Sequence, residues 1–475
     1  MQKGEAQAHM IKSWLTALAA LAFCFGSRPG CSAAETPSIS DIKQVLQQCV
    51  DQQNRTPGIV AGVIGANRTN VIAYGVRERG KPGKVDGDSI FEIGSITKVF
   101  TAILLQEMAN RGEVKLDDPI SKYLPSSVKT PSRHGREISL LDLATHTSGL
   151  PSMPDNLSPK DGDDPWADYT VEQMYDFLSH YKPGRDPGVE FEYSNFGMGL
   201  LGHILALRAG TNYEALVVSR ICDPLEMNST RITLTPEMKT RLATGHSAVG
   251  PPVKNWGSLA LQGDGAFYSS ANDMLKFLAA NMGRGNSPLV ATLARTHVRR
   301  KHAGFGMKID LGWFEFSLFG VDYVWHNGGT GGYRSFIGFD PRLEHGAVVL
   351  VNEANDIDDV GRYLFLHDTY DSLDKFKAPR QRTVAAIDHQ IYDRYIGRYE
   401  FNSKHFMIIT REGDRLIALD SGPMEFPYEI LPESATGFFL TAVDAQISFV
   451  TNGAGVVTQA IVQQAGKNQK AGKVQ

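Results

Sequence analysis

The chain has few cysteines and lacks the short motifs that mark several classes of metal protein and hydrolase. Four of its 475 residues are cysteine, and neither Cys-x-x-Cys nor His-Glu-x-x-His occurs, so the sequence indicates no metal site. The absence of Gly-x-Ser-x-Gly excludes the nucleophile elbow of an α/β-hydrolase. With a net charge of -4 and no basic stripe, nucleic acid is not an expected partner. We therefore expect chemistry that needs neither a metal nor an organic cofactor.

The N-terminal segment has the pattern of a secretory signal peptide. Lys12 precedes an apolar run at 14–25 that is too short for a stable membrane span, and a small-residue cleavage site follows. We predict a signal peptide over 1–34 and export to the periplasm or the extracellular space. A lipoprotein anchor is less favoured, because the residues before the two cysteines of this segment fit such a signal poorly. Cys49 and Cys222 remain in the mature chain, and both are expected to be free and buried.

Residues 35–376 are predicted to form one α+β domain. An amphipathic helix at 38–53 precedes two strands, and further strands return after residue 300, while the region between is mainly helical. The predicted strands lie at 59–64, 71–76, 307–316, 323–326, 333–339 and 347–351, and the predicted helices at 140–145, 171–179, 196–208, 213–221, 272–282 and 358–374. We expect an antiparallel sheet flanked by N- and C-terminal helices, with a large inserted helical region and a cleft beside it.

A change of pattern after residue 376 indicates a second domain. Residues 377–387 have the composition of a linker. Short strands then recur at 395–400, 406–410, 416–419, 438–443, 446–450 and 456–462. Residues 388–475 are therefore predicted to form a small all-β barrel. The sequence leaves three alternatives for its role, which are covering the cleft, binding an extended substrate and stabilising the protein.

One Ser-x-x-Lys motif has the surroundings of a nucleophile. Five stretches match this pattern, but only Ser95-Ile96-Thr97-Lys98 follows a short extended run and a glycine and precedes a long apolar run. At spacing i, i+3 the Ser95 hydroxyl and the Lys98 amine share a helix face. The helix N-terminus favours a developing oxyanion, and burial turns a lysine into a base near neutral pH. We predict an activated serine at Ser95.

Two later motifs supply candidate partners for Ser95. Tyr193-Ser194-Asn195 is the only Tyr-x-Asn of the chain and precedes a predicted helix. Tyr193 is a candidate proton shuttle and Asn195 a candidate ligand for a substrate amide; a plain turn with Asn195 as the helix cap is the alternative.

The third motif, His326-Asn327-Gly328, closes a predicted strand and continues into a glycine-rich stretch. Gly328 and Gly329 let a substrate approach the backbone, and the N–H of Gly329, with that of Ser95, would form an oxyanion hole. His326 is a candidate for steering protons. The alternative is a glycine-rich hairpin beside a structural histidine.

Together, in this order and spacing, the three motifs resemble those of the penicillin-recognising serine hydrolases. This superfamily includes class C β-lactamases, D-Ala-D-Ala carboxypeptidases and family VIII-type esterases, and the resemblance covers about residues 40–375. It implies that Ser95 is the acylated nucleophile with Lys98 as its general base. It further implies that Tyr193 is the second acid or base, that Asn195 binds the acyl-side amide, and that Gly329 donates to the oxyanion. The C-terminal barrel resembles the lipocalin-like appendage found on members of this group.

Position 326 departs from the resemblance. Class C β-lactamases usually carry Lys-Thr-Gly there, whereas His-x-Gly is similar to some D,D-carboxypeptidases, D-aminopeptidases and esterases. We expect a hydrolase of β-lactams or D-Ala-D-Ala-type peptides, whose partner is a small molecule or a peptidoglycan peptide. A carboxylesterase on the same machinery and a non-catalytic cell-wall binding protein are the alternatives.

Two further features are predicted to be structural. The Gly-x-Gly-x-x-Gly at 197–202 matches a dinucleotide fingerprint but lacks the preceding strand, so close helix packing explains it better. His146 lies in a polar turn after a helix, and we expect it to make structural hydrogen bonds.

Overall fold

The computed structural model describes residues 37–474 except 67, 162, 249, 299, 305–306, 319–320, 341–344, 366–383, 402–405, 421–426, 441–444 and 465–466. The predicted signal peptide at 1–34, most of the predicted linker and the end of the predicted helix at 358–374 lie outside the described residues. No helix within the described ranges is long and apolar enough to cross a membrane. Cys49 and Cys222 are buried and free, which confirms the prediction for both thiols.

An antiparallel sheet forms the centre of the larger domain. Within the described residues it has eight strands in the order β2-β1-β12-β11-β10-β9-β8-β7. These strands are β1 Gly58–Ile64, β2 Thr69–Gly75, β7 Lys301–Gly304, β8 Met307–Ile309, β9 Phe314–Leu318, β10 Val321–Gly329, β11 Arg334–Asp340 and β12 His345–Val351. Strands from both ends of the domain thus share one sheet, as predicted. Two short pairs lie outside it, β3 Ile90–Glu92 with β6 Tyr268–Ser270, and β4 Ser132–Arg133 with β5 Arg136–Glu137.

The single strand predicted at 307–316 is two strands in the structure. β8 and β9 pair antiparallel across a tight turn that is closed by a 2.8 Å hydrogen bond from Asp310 N to Trp313 O. Gly312 makes this turn with φ +71°, a conformation that costs glycine little. A Cβ on Gly312 would lie 3.0 Å from the Lys98 carbonyl oxygen. The turn therefore packs directly against the helix that carries Lys98.

Helices cover both faces of the sheet. The helices are α1 Ile39–Gln47, α2 Thr97–Asn110, α3 Leu140–Ala144, α4 Val171–His180, α5 Asn195–Ala209, α6 Tyr213–Val217, α7 Pro236–Thr240, α8 Ala271–Asn281, α9 Val290–Thr296 and α10 Asp358–Phe365. α1 and α10 pack on one face, and the inserted helical region packs on the other. Because alternate residues of β1 enter the two cores, all seven of its residues are buried.

The glycines at 197–202 lie in the helix α5, where a side chain would collide with neighbouring residues. A Cβ on Gly199 would lie 2.7 Å from the Leu261 side chain, and one on Gly202 would lie 2.9 Å from the Cα of Gly263. These contacts confirm the prediction of close helix packing. They also fix the segment around Gly263 against α5, and that segment leads into the site.

The C-terminal region is a closed barrel of eight strands within the described residues, which confirms the predicted all-β barrel. The strands are β13 Gly397–Glu400, β14 Phe406–Glu412, β15 Arg415–Asp420, β16 Pro427–Pro432, β17 Gly437–Leu440, β18 Ala445–Thr451, β19 Val457–Gln464 and β20 Lys467–Val474. The predictions missed β16 and β20. Aromatic and aliphatic side chains fill the interior, where the rings of Tyr395 and Phe449 stack with centroids 4.4 Å apart. On the outside, Arg415 lies 3.5 Å from Asp163 of the larger domain.

Candidate active site

Ser95 lies in a short turn that opens the buried helix α2. β3 ends at Glu92, and a 3₁₀ turn at Gly94–Ile96 leads directly into α2. Gly94 has φ +48°, and a Cβ there would lie 2.6 Å from the backbone nitrogen of Gly329. Glycine is therefore required at position 94 for both conformation and space. The turn presents the Ser95 hydroxyl to a cleft at the N-terminus of α2.

Lys98 is fully buried beside Ser95. Its Nζ donates to Ser95 Oγ at 2.9 Å and to the Asp264 carbonyl oxygen at 2.6 Å. Burial lowers the pKa of Lys98 from 10.5 to about 8, because desolvation disfavours the charged amine, while the nearby Asp264 carboxylate opposes this shift. The spacing of the motif thus places an amine that loses its proton easily against the serine hydroxyl.

Asp264 is a member of the site that sequence reasoning missed. It lies in a 3₁₀ turn at Gln262–Asp264 that packs against α5. Burial raises the pKa of its carboxyl to about 6, and the positive charge of Lys98 opposes that rise. Asp264 therefore contributes a backbone acceptor and a titrating negative charge to the environment of Lys98.

Tyr193 reaches the same serine from the segment before α5. Its ring lies 5.0 Å from Lys98 Nζ, and Ser95 is near enough to lower the pKa of its phenol, against the larger effect of burial. Desolvation raises the pKa of Tyr193 above its usual value, so the phenol is neutral at physiological pH. The structure thus brings Ser95, Lys98 and Tyr193 together.

Asn195 is the first residue of α5 but does not cap it. Ser194 is the cap, since its Oγ accepts from Gly197 N at 2.8 Å. The Asn195 side chain instead donates to Ser152 Oγ at 3.1 Å and lines the cleft. The alternative of Asn195 as an ordinary helix cap is therefore wrong, and binding of a substrate amide by Asn195 stays a prediction.

His326 is buried near Lys98 on β10. Its Nδ1 donates to the Asn327 carbonyl oxygen at 2.5 Å, while Nε2 has no hydrogen-bond partner among the described residues. Desolvation lowers the pKa of His326 to about 3, and the Lys98 charge adds to this effect. The imidazole is therefore neutral at physiological pH. Because Nδ1 carries the proton, the lone pair of the neutral ring is on Nε2. The role of His326 in steering protons stays a prediction.

Gly328 and Gly329 bring the end of β10 against the Ser95 turn. A Cβ on Gly328 would lie 2.0 Å from the Ile93 carbonyl oxygen, closer than any side chain permits. Ser335 of the neighbouring strand donates to the same Ile93 oxygen at 2.8 Å. These contacts set the backbone of Gly329 beside Gly94. The two predicted oxyanion donors, Ser95 and Gly329, consequently border one cleft.

Eleven described residues line the cleft. Ser95, Asn195 and Gly329 line it, and two tryptophans, Trp166 and Trp256, add flat apolar surface. The remaining lining residues are Gly257, Ser258, Asp264, Gly265, Ala266 and Thr330. Within the described ranges, no three His, Cys, Asp or Glu side chains are arranged to hold a metal ion.

A buried carboxyl on β3 organises one wall of the cleft. Glu92 Oε1 accepts from Asn255 Nδ2 at 2.8 Å, Trp256 N at 3.0 Å and the Tyr268 hydroxyl at 3.2 Å. Burial raises the pKa of Glu92 to about 7. Glu92 is three residues before Ser95, so one short strand positions both the serine and the loop that carries Trp256.

The family of the chain follows from comparison with known proteins. Residues 42–368 match the β-lactamase family, and residues 381–472 match DUF3471, a domain of unknown function. A β-lactamase of Pseudomonas fluorescens is 31% identical over 281 residues, which are 58% of this chain and 74% of that protein. The chain therefore belongs to the β-lactamase family.

Other relatives and solved structures agree. The D-alanyl-D-alanine-carboxypeptidase/endopeptidase AmpH of Escherichia coli K12 is 34% identical over 221 residues, 46% of this chain; the matched part spans only 56% of AmpH. A β-lactamase/D-alanine carboxypeptidase structure from Yersinia pestis has a TM-score of 0.59 and 27% identity, covering 66% of this chain and 94% of its own. A class C β-lactamase from Rhodobacter sphaeroides has a TM-score of 0.60 and 26% identity, covering 69% and 99%. The chain is a serine hydrolase of the class C β-lactamase type.

Proposed function

We propose that the protein forms an acyl-enzyme at Ser95 and hydrolyses D-Ala-D-Ala-type peptides or β-lactams. The observation that carries this proposal is the 2.9 Å contact between Ser95 Oγ and Lys98 Nζ, made by a buried amine whose pKa is lowered to about 8. A serine with such a base beside it, at the N-terminus of a helix, is an activated nucleophile. The relatives named for β-lactamase and D,D-carboxypeptidase activity support the same substrates.

In the proposed acylation, neutral Lys98 accepts the Ser95 proton as Oγ attacks the carbonyl carbon. The N–H groups of Ser95 and Gly329 donate to the oxyanion that forms. The neutral Tyr193 hydroxyl then gives its proton to the leaving nitrogen, and the proton held by Lys98 restores the phenol. Water completes the cycle by attacking the acyl ester, with its proton returning through the same groups to Ser95 Oγ. Asn195 binds the amide of the acyl group.

The charge near the cleft bears on the choice of substrate. Neutral His326 gives no fixed positive charge for a substrate carboxylate. Arg334 lies beside Gly329, but its Nη1 donates to the carbonyl oxygens of Thr330 and Tyr333 at 2.7 and 2.8 Å. A carboxylesterase is the second candidate, and it is favoured by the neutral His326 and by the two tryptophans.

We further propose that residues 35–376 are the catalytic domain and 388–475 a separate domain, joined by a linker at 377–387. The family matches at 42–368 and 381–472 support this division. Export, with removal of residues 1–34, remains part of the proposal. N-terminal sequencing of the protein recovered from the cell envelope or medium tests it, and a chain that keeps residues 1–34 would contradict it.

Activity measurements test the proposed function. The mature chain would be assayed with a chromogenic cephalosporin, a peptide ending in D-Ala-D-Ala, and p-nitrophenyl acetate. Ser95→Ala should abolish turnover without changing the thermal unfolding midpoint. Ser126→Ala is the matched control, because Ser126 begins another Ser-x-x-Lys stretch but is exposed; it should retain full activity. Turnover retained by Ser95→Ala would refute the proposal, and turnover of the ester alone would favour the esterase.

A further inference from the structure

His146 contacts the Tyr193 segment in three ways. Its imidazole stacks on the Tyr193 ring with centroids 4.5 Å apart and an interplanar angle of 28°. Its Nδ1 accepts from the backbone N–H of Ser194 at 3.1 Å, and its carbonyl oxygen accepts from the N–H of Glu192 at 2.8 Å. The three contacts fix the backbone of Glu192 and Ser194, on either side of Tyr193, and cover one face of the Tyr193 ring. Together they restrict the direction in which the phenol hydroxyl points.

The backbone of His146 is itself held in an unusual conformation. Its φ is +55°, a left-handed conformation that is unfavourable for residues other than glycine. The turn is stabilised by a bond from His146 N to Leu143 O at 3.2 Å and by one from Gly188 N to Thr147 O at 2.6 Å. Because the surrounding bonds maintain this strained geometry, the position of the imidazole is well determined.

The hydrogen bonds also show which nitrogen of the His146 ring carries the proton. Since Nδ1 accepts from Ser194, the proton of the neutral ring is on Nε2, which is buried and has no hydrogen-bond partner among the described residues. Burial, Lys98 and His326 all lower the pKa of His146, so the ring is neutral. His146 is thus an uncharged ring beside Tyr193, and it adds no second cation next to Lys98.

We propose that His146 is a positioning residue that holds the Tyr193 hydroxyl in line with Ser95. This inference rests on the proposed function, because Tyr193 is the proton donor in that reaction. His146 itself does not touch the reacting atoms; it acts through the stack on Tyr193 and through the backbone on either side. Losing it should therefore slow the chemical step while leaving substrate affinity nearly unchanged.

A double-mutant cycle with Tyr193→Phe tests the inference. His146→Asn retains an acceptor near Nδ1 and tolerates a positive φ, but it removes the ring. With a peptide ending in D-Ala-D-Ala, whose leaving amine requires a proton, we expect His146→Asn to lower kcat about tenfold or more and to change KM less than about threefold. In the Tyr193→Phe background, which has already lost the hydroxyl, the same change should lower kcat less than about threefold.

His134→Asn is the matched control. His134 also has a positive φ, +47°, but it is exposed and bonds to Asp186 Oδ1 at 2.8 Å. We expect the variant to keep the wild-type kcat. If His146→Asn fails to fold, as judged by thermal unfolding, the cycle is run with His146→Gly, which adopts a positive φ without strain and also removes the ring. The effect of this change on kcat should again be smaller in the Tyr193→Phe background.

The outcomes separate this inference from the proposed function. A merely structural His146 would lower kcat by the same factor in both backgrounds, and that additive result would overturn the inference while the wild type remains active. A wild-type protein without any Ser95-dependent turnover would overturn the proposed function and the inference with it.

Discussion

The ionisation of Lys98 sets the pH at which the proposed acylation becomes fast. With a pKa of about 8, roughly 10% of Lys98 is free base at pH 7, whereas an amine of pKa 10.5 would be about 0.03% free base. Burial thus increases the reactive form roughly 300-fold at neutral pH. A step that needs the free base rises about tenfold per pH unit at low pH and levels off above about pH 8.

Removing the charge of Asp264 should shift the part of the pH–rate profile in which the rate rises with pH. The Asp264 carboxylate raises the pKa of Lys98, because it stabilises the ammonium. Asp264→Asn takes that charge away and should shift the acid limb of kcat/KM to lower pH. At pH 7, where Asp264 of the wild type is mostly ionised, the variant should reach a larger fraction of its own plateau than the wild type, by about 1.5-fold to threefold for a shift of about 0.3 to 1 unit.

The assay is kcat/KM for p-nitrophenyl acetate from pH 5 to pH 10, fitted with apparent pKa values of the Lys98–Asp264 pair. Asp176→Asn, a change at an exposed carboxyl on α4, should leave the profile unchanged. A flat wild-type profile between pH 6 and pH 9, or an acid limb that moves to higher pH in Asp264→Asn, would refute the assignment of Lys98 as the base.

Two further predictions concern stability. Gly328→Ala places a Cβ 2.0 Å from the Ile93 carbonyl oxygen, so denaturant unfolding should show a free energy of unfolding lower by about 1–3 kcal/mol or more. The control Gly453→Ala, with open space around the added Cβ, should leave stability nearly unchanged. Equal stability of the two variants would contradict the close packing at Gly328. Glu92→Gln keeps an acceptor but cannot titrate. Because burial raises the Glu92 pKa to about 7, the folded wild type retains a proton that the unfolded chain loses, so its free energy of unfolding falls as pH rises from about 4.5 to about 7. Between those values Glu92→Gln should gain about 3 kcal/mol relative to wild type, and a pH-independent difference would contradict this.

Locally determined elements could be predicted from the sequence, whereas those fixed by distant contacts could not. The strand at 59–64 and the helix at 171–179 have clear apolar patterns, and the structure places them at Gly58–Ile64 and Val171–His180. By contrast, Lys467–Val474 is rich in polar residues and has no strand pattern; it is a strand because pairing with Gly397–Glu400 closes the barrel.

The same distinction applies to the candidate site. The spacing of Ser95 and Lys98 predicted their contact, because a helix turn alone brings them together. The neutral state of His326 was not predicted, because it results from burial between elements far apart in sequence. Asp264 gave no local signal either, and His146 was predicted only to make structural hydrogen bonds. Both act through packing against residues more than 40 positions away, Lys98 and Tyr193.

Time-resolved intact mass spectrometry of the mature protein mixed with a penicillin is the first test of acylation at Ser95. We expect an increase in mass equal to the whole penicillin, because opening the lactam releases no fragment, and peptide mapping should place it on Ser95. Rapid loss of the adduct would indicate β-lactamase turnover, and a persistent adduct a D,D-peptidase inhibited by its substrate mimic. An adduct on another residue, or one that also forms on Ser95→Ala, would contradict the account.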